Sequence, residues 1–375
     1  VDANGCISDT AFVSLTVVAP SVGVQLFNAG AYTTIFPSAG VYKTCGSVTA
    51  QQYKLNLPNS TNYPTYDIDW GDGTSSSNNT NNGSVVHTYT AAGLYTVEIT
   101  FYNSTGCSVD VELKIFYGTT PPVDLGYPGS TSGCTDGVNG ITLLFPVNNP
   151  GSIPNGLSMT FSSNDGSADI TVTTPLIINS TATPVLTAHP SLKVINGQLY
   201  YEKTFYNGSC GITSVLATSY PNSFYVKAEC VSPCGTGVDP VGPIYVSEIP
   251  EAGIIGPSET CAQTIVSFTD DSDNGNAIGI NGTSCDDNPE GVWKIIPNAN
   301  YTVVSGSLGF APAGAAIANL GNWTNGSNAI SLQFNKAGTY TVRRIIGLDG
   351  SNGPLCEIDS IDHVLCVDTI PIASI

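Results

Sequence analysis

Hydrophobic and polar positions alternate along this chain with a period of two. In 94–101, Tyr95, Val97, Ile99 and Phe101 alternate with Leu94, Thr96, Glu98 and Thr100. In 108–115, Val109, Val111, Leu113 and Ile115 alternate with Ser108, Asp110, Glu112 and Lys114. That period sends neighbouring side chains to opposite faces, so both runs read as antiparallel strands with one buried face. The intervening NSTG is a hairpin turn, because Asn and Gly adopt positive φ at little cost.

The same unit recurs. A small polar turn ending in or next to Cys, followed by a strand-like run, occurs around Cys6, Cys107 and Cys210, and in weaker form around Cys356. The first two steps are about 100 residues, the size of one β-sandwich. The last step is longer, and its extra residues fall in the irregular stretch 270–325. This spacing predicts a terminal hairpin of a preceding module at 1–20, full modules at 21–119, 120–236 and 237–368, and the start of another at 369–375. The junctions VVAPSV (17–22), TTPPVD (119–124) and VDPVGP (238–243) carry proline, which restricts φ and extends the preceding residue. They predict an extended array with few hinges.

Composition narrows the function. The net charge of −19, with 10 Lys+Arg against 29 Asp+Glu, excludes an electrostatic nucleic-acid binder and a polybasic lipid anchor. No apolar run is long enough for a membrane-spanning helix. Forty Gly and 24 Pro favour short strands and turns. Eleven dispersed cysteines with no CxxC argue against zinc and for disulfides in an exported protein. The repeat predicts one bridge per module: Cys45–Cys107, Cys134–Cys210 and Cys261–Cys356, with Cys230–Cys234 and Cys285–Cys366 from the remainder. Cys6 is expected to be unpaired, its partner lying upstream of Val1.

The segment 66–101, YDIDWGDGTSSSNNTNNGSVVHTYTAAGLYTVEITF, resembles a PKD domain, an immunoglobulin-like β-sandwich. Trp70, Gly71, Asp72, Gly73 and Thr74 match its turn, His87, Thr88 and Tyr89 its His–Thr–Tyr strand, and Gly93, Tyr95, Thr96 and Val97 the strand after. In the last module KAGTYTV (336–342) matches, with Trp293 as counterpart of Trp70. The resemblance implies an all-β protein of tandem immunoglobulin-like sandwiches, with Trp70 in the core and Asp72 capping its turn. The Cys–turn–strand endings resemble the repeats of giant secreted adhesins of Bacteroidota, such as those of gliding flavobacteria. That implies a non-enzymatic stalk or filament segment at the cell surface, with neighbouring modules and surface polysaccharide as partners. The alternatives are a carbohydrate-binding accessory segment of a secreted hydrolase and a surface-filament subunit that polymerises by strand donation.

Candidate chemistry is sparse. No GxSxG, HExxH or P-loop occurs, so no catalytic residue and no resident cofactor is expected. Asp270, Asp271, Asp273, Asp286 and Asp287 form an acidic stretch with calcium as its candidate ligand, although Gly275 and Gly282 break the EF-hand pattern. Asp67, Asp69 and Asp72 are a second, sparser acidic group. The adhesin resemblance also implies O-glycosylation at Asp–Ser/Thr sites, here Thr10, Ser360 and Thr369.

Overall fold

The computed structural model describes residues 20–46, 49–174, 176, 189–311, 322–348, 356 and 358–369. It is all-β, with short 3-10 turns such as Pro150–Ser152 and Ile280–Gly282. Among the described residues no helix is long and apolar enough to cross a membrane. Residues 1–19 and 370–375, with the terminal hairpin, Cys6 and Thr10 expected there, lie outside the described residues.

Three tandem sandwiches follow one plan. In module one, Ala31–Ile35, Gly23–Asn28, Gln51–Asn56 and Ser84–Tyr89 form one sheet. The other runs Val41–Cys45, Ser108–Gly118, Gly93–Tyr102, Thr65–Asp69 and Ser75–Thr80. The period of two does the packing: Tyr95, Val97, Ile99 and Phe101 are buried, facing Val24, Tyr53, Leu55 and Tyr89 across the core. Module two pairs Ser132–Thr135, Gly235–Glu248, Phe224–Ser232, Ser158–Ser163 and Ile170–Thr173 against Ile141–Val147, Gln198–Phe205 and Leu192–Ile195. Module three sets Glu259–Cys261, Asp359–Asp368, Gly338–Gly347 and Glu290–Ile296 against Ile254–Ile255, Ile265–Asp270, Ala329–Phe334 and Tyr301–Ser305.

One feature recurs in all three. A short strand ending at or near a cysteine runs parallel to the end of the module's last strand. The facing pairs are Cys45 with Gly118, Cys134 with Ser247, and Cys261 with Asp368. The last strand is preceded by an antiparallel hairpin, and that connection also holds a cysteine: Cys107, Cys234 and Cys356.

The structure corrects the expected boundary between modules two and three. The last strand of module two runs to Glu248, so a cut at 236 falls just inside it, and the expected linker VDPVGP is strand. Proline is tolerated there because Ser132–Thr135 pairs only with Tyr245–Glu248, leaving the Pro240 stretch an edge on that side. The turn around Cys210 is also not the last hairpin of its module. It follows Gln198–Phe205 and leads into the three-residue strand Thr213–Val215, while Cys234 occupies the hairpin.

Candidate functional site at the module junctions

The disulfides join modules rather than strands within one. Cys45 bonds Cys234, Cys134 bonds Cys356 and Cys210 bonds Cys285, with Cα atoms 5.6, 5.7 and 5.8 Å apart, in the normal range. The first bridges modules one and two, and the other two bridge modules two and three.

Geometry explains why the expected pairings fail. Cys45 lies beside Gly118, whereas Cys107 precedes Ser108, so the two stand at opposite ends of one strand. At about 3.3 Å per residue that is roughly 33 Å. Cys261 and Cys356 are separated in the same way by Asp359–Asp368. Cys134 and Cys210 do lie at the same end of module two, where Ser209 N–H donates to Val246 O, but each reaches module three instead. Cys230 points into the core opposite Met159 and cannot meet Cys234 in the turn. Cys366 is left when Cys285 bonds Cys210. Cys107, Cys261 and Cys366 are therefore free and exposed, and Cys230 is free and buried; burial pushes the Cys230 thiol up to about 11.

Each junction is packed around its bridges. Between modules one and two, Phe116, Val41 and Leu94 pack onto the hydrophobic core of module two. Leu94 N–H donates to Asn155 O at 2.8 Å, Asn155 N–H to Ala92 O at 3.0 Å, and Lys43 Nζ to Pro233 O at 2.8 Å. The connecting segment crosses the start of the last strand so closely that a Cβ on Gly237 would stand 1.9 Å from Pro121 O.

Between modules two and three, a segment with Ala277 and Ile278 buried is tied down by hydrogen bonds. The Glu248 carboxylate accepts Gly208 N–H at 2.7 Å and Asn276 Nδ2–H, and the backbones of Glu248 and Asn276 exchange two hydrogen bonds. Asn222 Nδ2 donates to Gly282 O at 2.8 Å, and Ile278 N–H to Ser247 Oγ at 3.0 Å. Residues 276–286 of module three thus lie against module two, held by Cys210–Cys285.

This placement redefines the acidic stretch. Asp270 pairs with Arg344 and accepts Ser272 N–H and Oγ–H; Asp273 accepts Gly275 N–H, and its backbone bridges to Glu251. Asp286 accepts Asn288 N–H, and Asp287 accepts Asn288 Nδ2–H. Among the described residues no three His, Cys, Asp or Glu side chains gather in a geometry for a metal ion. The other acidic group is dispersed too. Asp67 accepts Asn78 N–H and Tyr102 O–H, while Asp69 accepts Gly71 N–H.

The turn residues of module one form a local lock. Trp70 is buried and stacks on His87 with centroids 4.4 Å apart and planes 11° from parallel. His87 Nε2 lies 2.8 Å from Asp72 Oδ2, and Asp72 Oδ1 accepts Thr74 N–H and Oγ1–H. Tyr89 O–H donates to Trp70 O at 2.9 Å. Gly71 has φ +74°, and a Cβ there would meet Thr96 O at 2.4 Å; Gly73 has φ +88°. Burial alone would raise the Asp72 carboxyl, but hydrogen bonds from Thr74 and His87 outweigh it and hold it below the usual range.

Module three rebuilds this lock with other residues. Trp293 is buried, its Nε1–H donates to Ser327 O at 2.8 Å, and the Arg344 guanidinium lies 5.1 Å from its ring centroid while pairing with Asp270. Tyr95 O–H donates to Ala91 O and Tyr340 O–H to Lys336 O, the same four-residue reach in both modules.

The other histidines are engaged inside their modules: His189 Nδ1 accepts Ser191 N–H, and His363 Nε2 lies 3.0 Å from Pro257 O. Exposed aromatic rings are dispersed over the modules at Phe27, Phe36, Tyr127, Tyr206 and Phe310 and do not line one strand. Ser360 and Thr369 are exposed, on and just beyond the last strand.

No family model matches the chain, and no curated protein matches it. Solved structures similar to it include the I-band fragment I67–I69 of titin, at 9% identity and TM-score 0.30 over 95% of this chain and 100% of that one. The three N-terminal domains of the bacteriophage RB49 outer capsid protein Hoc match at 10% identity and TM-score 0.28, over 94% and 99%. Sidekick-1 immunoglobulin domains 1–4 match at 10% and 0.26, over 93% and 91%.

Proposed function

We propose that this chain is a load-bearing, non-enzymatic segment of a long secreted protein displayed at a cell surface, where it holds an adhesive end away from the cell. The observation that carries this reading is the placement of the disulfides across the junctions. A bridge inside a module protects that module alone. A bridge between modules removes the swivel between them and carries tension past the intervening fold. Cys45 and Cys234 stand 189 positions apart, and the chain between them cannot be drawn out while that bond is intact; fully extended it would span about 650 Å. Disulfides also fit an oxidising, extracellular compartment.

Single-molecule stretching between residues near the two termini tests this. With bridges intact, pulling releases only the unbridged chain. After reduction, the release lengthens by hundreds of ångströms. Equal lengths in both states would overturn the reading. O-glycans on Thr10, Ser360 and Thr369, and a surface polysaccharide as ligand, belong to the same reading. Mass spectrometry of material from the native source tests the former, and a glycan-array screen the latter. Calcium at Asp270, Asp271, Asp273, Asp286 and Asp287 is tested by adding and chelating the ion during thermal unfolding.

A further inference from the structure

The hairpin bridges obey one rule. The cysteine beside the end of a module's last strand bonds the cysteine in the last hairpin of the module that follows. Cys45, facing Gly118, takes Cys234, and Cys134, facing Ser247, takes Cys356. Two cysteines occupy these same positions without a partner. Cys261 faces Asp368 at the far end of module three, and Cys107 sits in the last hairpin of module one, between Gly93–Tyr102 and Ser108–Gly118. Both are free and exposed. One is the donor half of the rule in module three, and the other is the acceptor half in module one.

We propose that Cys107 and Cys261 are the two open halves of further rungs: Cys261 bonds the last-hairpin cysteine of a following module and Cys107 the strand-edge cysteine of a preceding one, and a second copy of this chain, which offers both halves, fills either place through a Cys261–Cys107 disulfide. This rests on the geometry of the junctions and not on the mechanical reading, which concerns the bridges inside the chain. Cys366 is also free and exposed but lies outside the rule. It faces Glu259, two residues before Asp368, and the corresponding positions are Phe116 and Tyr245. Cys230 is buried in the core.

The bond forms by thiol–disulfide exchange with a small disulfide such as oxidised glutathione. One thiolate attacks the glutathione disulfide and expels one glutathione thiol. The second thiolate then attacks the mixed disulfide and expels the other. The two protein thiols lose two protons and two electrons, and the oxidant leaves as two thiols.

The purified protein, with its internal bridges verified by peptide mapping, is incubated in a mixture of oxidised and reduced glutathione. It is then resolved on a non-reducing gel. A ladder of multimers is expected, with the Cys107–Cys261 peptide pair in every rung. Cys107→Ser and Cys261→Ser each abolish the ladder when oxidised alone, and the two variants mixed give a dimer and nothing longer. Cys366→Ser leaves the ladder intact. A chain that stays monomeric, Cys107–Cys107 or Cys261–Cys261 as the main product, or an internal Cys261–Cys366 bond would each overturn the proposal. The stretching experiment is indifferent to all three outcomes, so the two readings fail separately.

Discussion

The two junctions of this chain hold by different means. Between modules one and two there is one bridge and an apolar contact, with Phe116, Val41 and Leu94 packed onto the neighbouring core. Between modules two and three there are two bridges, and none of the hydrophobic clusters among the described residues spans the gap. Glu248, Asn276, Asn222 and Gly282 make that junction instead. Apolar burial holds two bodies together without demanding one orientation, whereas hydrogen bonds weaken steeply when tilted. A hydrogen bond exchanged for one with water contributes little net free energy. The second staple fits this difference: where no hydrophobic cluster is shared, a further covalent constraint stands in its place.

The sharpest way to break the comparison is to remove the staples. Cys134–Cys356 closes 222 residues, and in the chain-entropy model its loss by Cys134→Ser costs about 5 kcal/mol. The double variant Cys134→Ser/Cys210→Ser should expose residues 249–290 to limited proteolysis and raise their hydrogen exchange. Cys45→Ser alone should leave the first junction protected, because its apolar contact remains. If both junctions open equally, the apolar contact is not what holds the first.

The second test removes that contact. Phe116 is fully buried in the cluster shared by modules one and two, and Phe116→Ala should cost about 3–5 kcal/mol, seen as a lower melting temperature. With Cys45→Ser added, modules one and two should become separately mobile by solution scattering. Asn276→Ala is milder. It removes a hydrogen bond to the Glu248 carboxylate across the second junction at a cost of about 2 kcal/mol, while both bridges stay. A loss several times larger would show that the polar contacts carry the second junction.

Much of module one was legible in the chain, and the junctions were not. Alternation in 94–101 and 108–115 marked strands that are now seen as Gly93–Tyr102 and Ser108–Gly118, since period two is a local property. The turn of Trp70, Asp72 and Thr74 was legible for the same reason: its hydrogen bonds close within a few residues. Cysteine partners are set by which ends of two bodies meet, and no local pattern records that. The Cys210 turn resembled the Cys107 turn in composition, yet it follows a different strand of the sandwich. Pro240 and Pro243 read as a linker because the open edge beside Ser132–Thr135 is a tertiary fact. Asp270 read as an acidic loop residue because its partner Arg344 lies far along the sequence, on Gly338–Gly347.

The smallest effect separates modules from junctions by pH. Asp72 belongs to the lock of module one and to neither junction, and its folded carboxyl is held below the ordinary carboxylate value by Thr74 and His87. A carboxylate depressed in the fold binds its proton more readily in the unfolded chain. The stability it contributes is therefore complete above the unfolded value of about 4 and is lost as pH falls through the folded value. Protonation removes the charge that His87 faces and weakens the acceptor of the Thr74 bonds, so the stack on Trp70 loosens. Acidification below about pH 4 should thus lower the unfolding midpoint of module one, read by Trp70 fluorescence in a variant with Trp293 and Trp323 replaced by Phe. Asp72→Asn should flatten that part of the profile, since no proton is left to bind. The bridges and Phe116 do not titrate in this window, so protection at the first junction should persist while the lock weakens. Opening of the junction at the same pH as the lock would mean that module one and its junction unfold as one unit, and the contrast between the two junctions would then begin inside the modules.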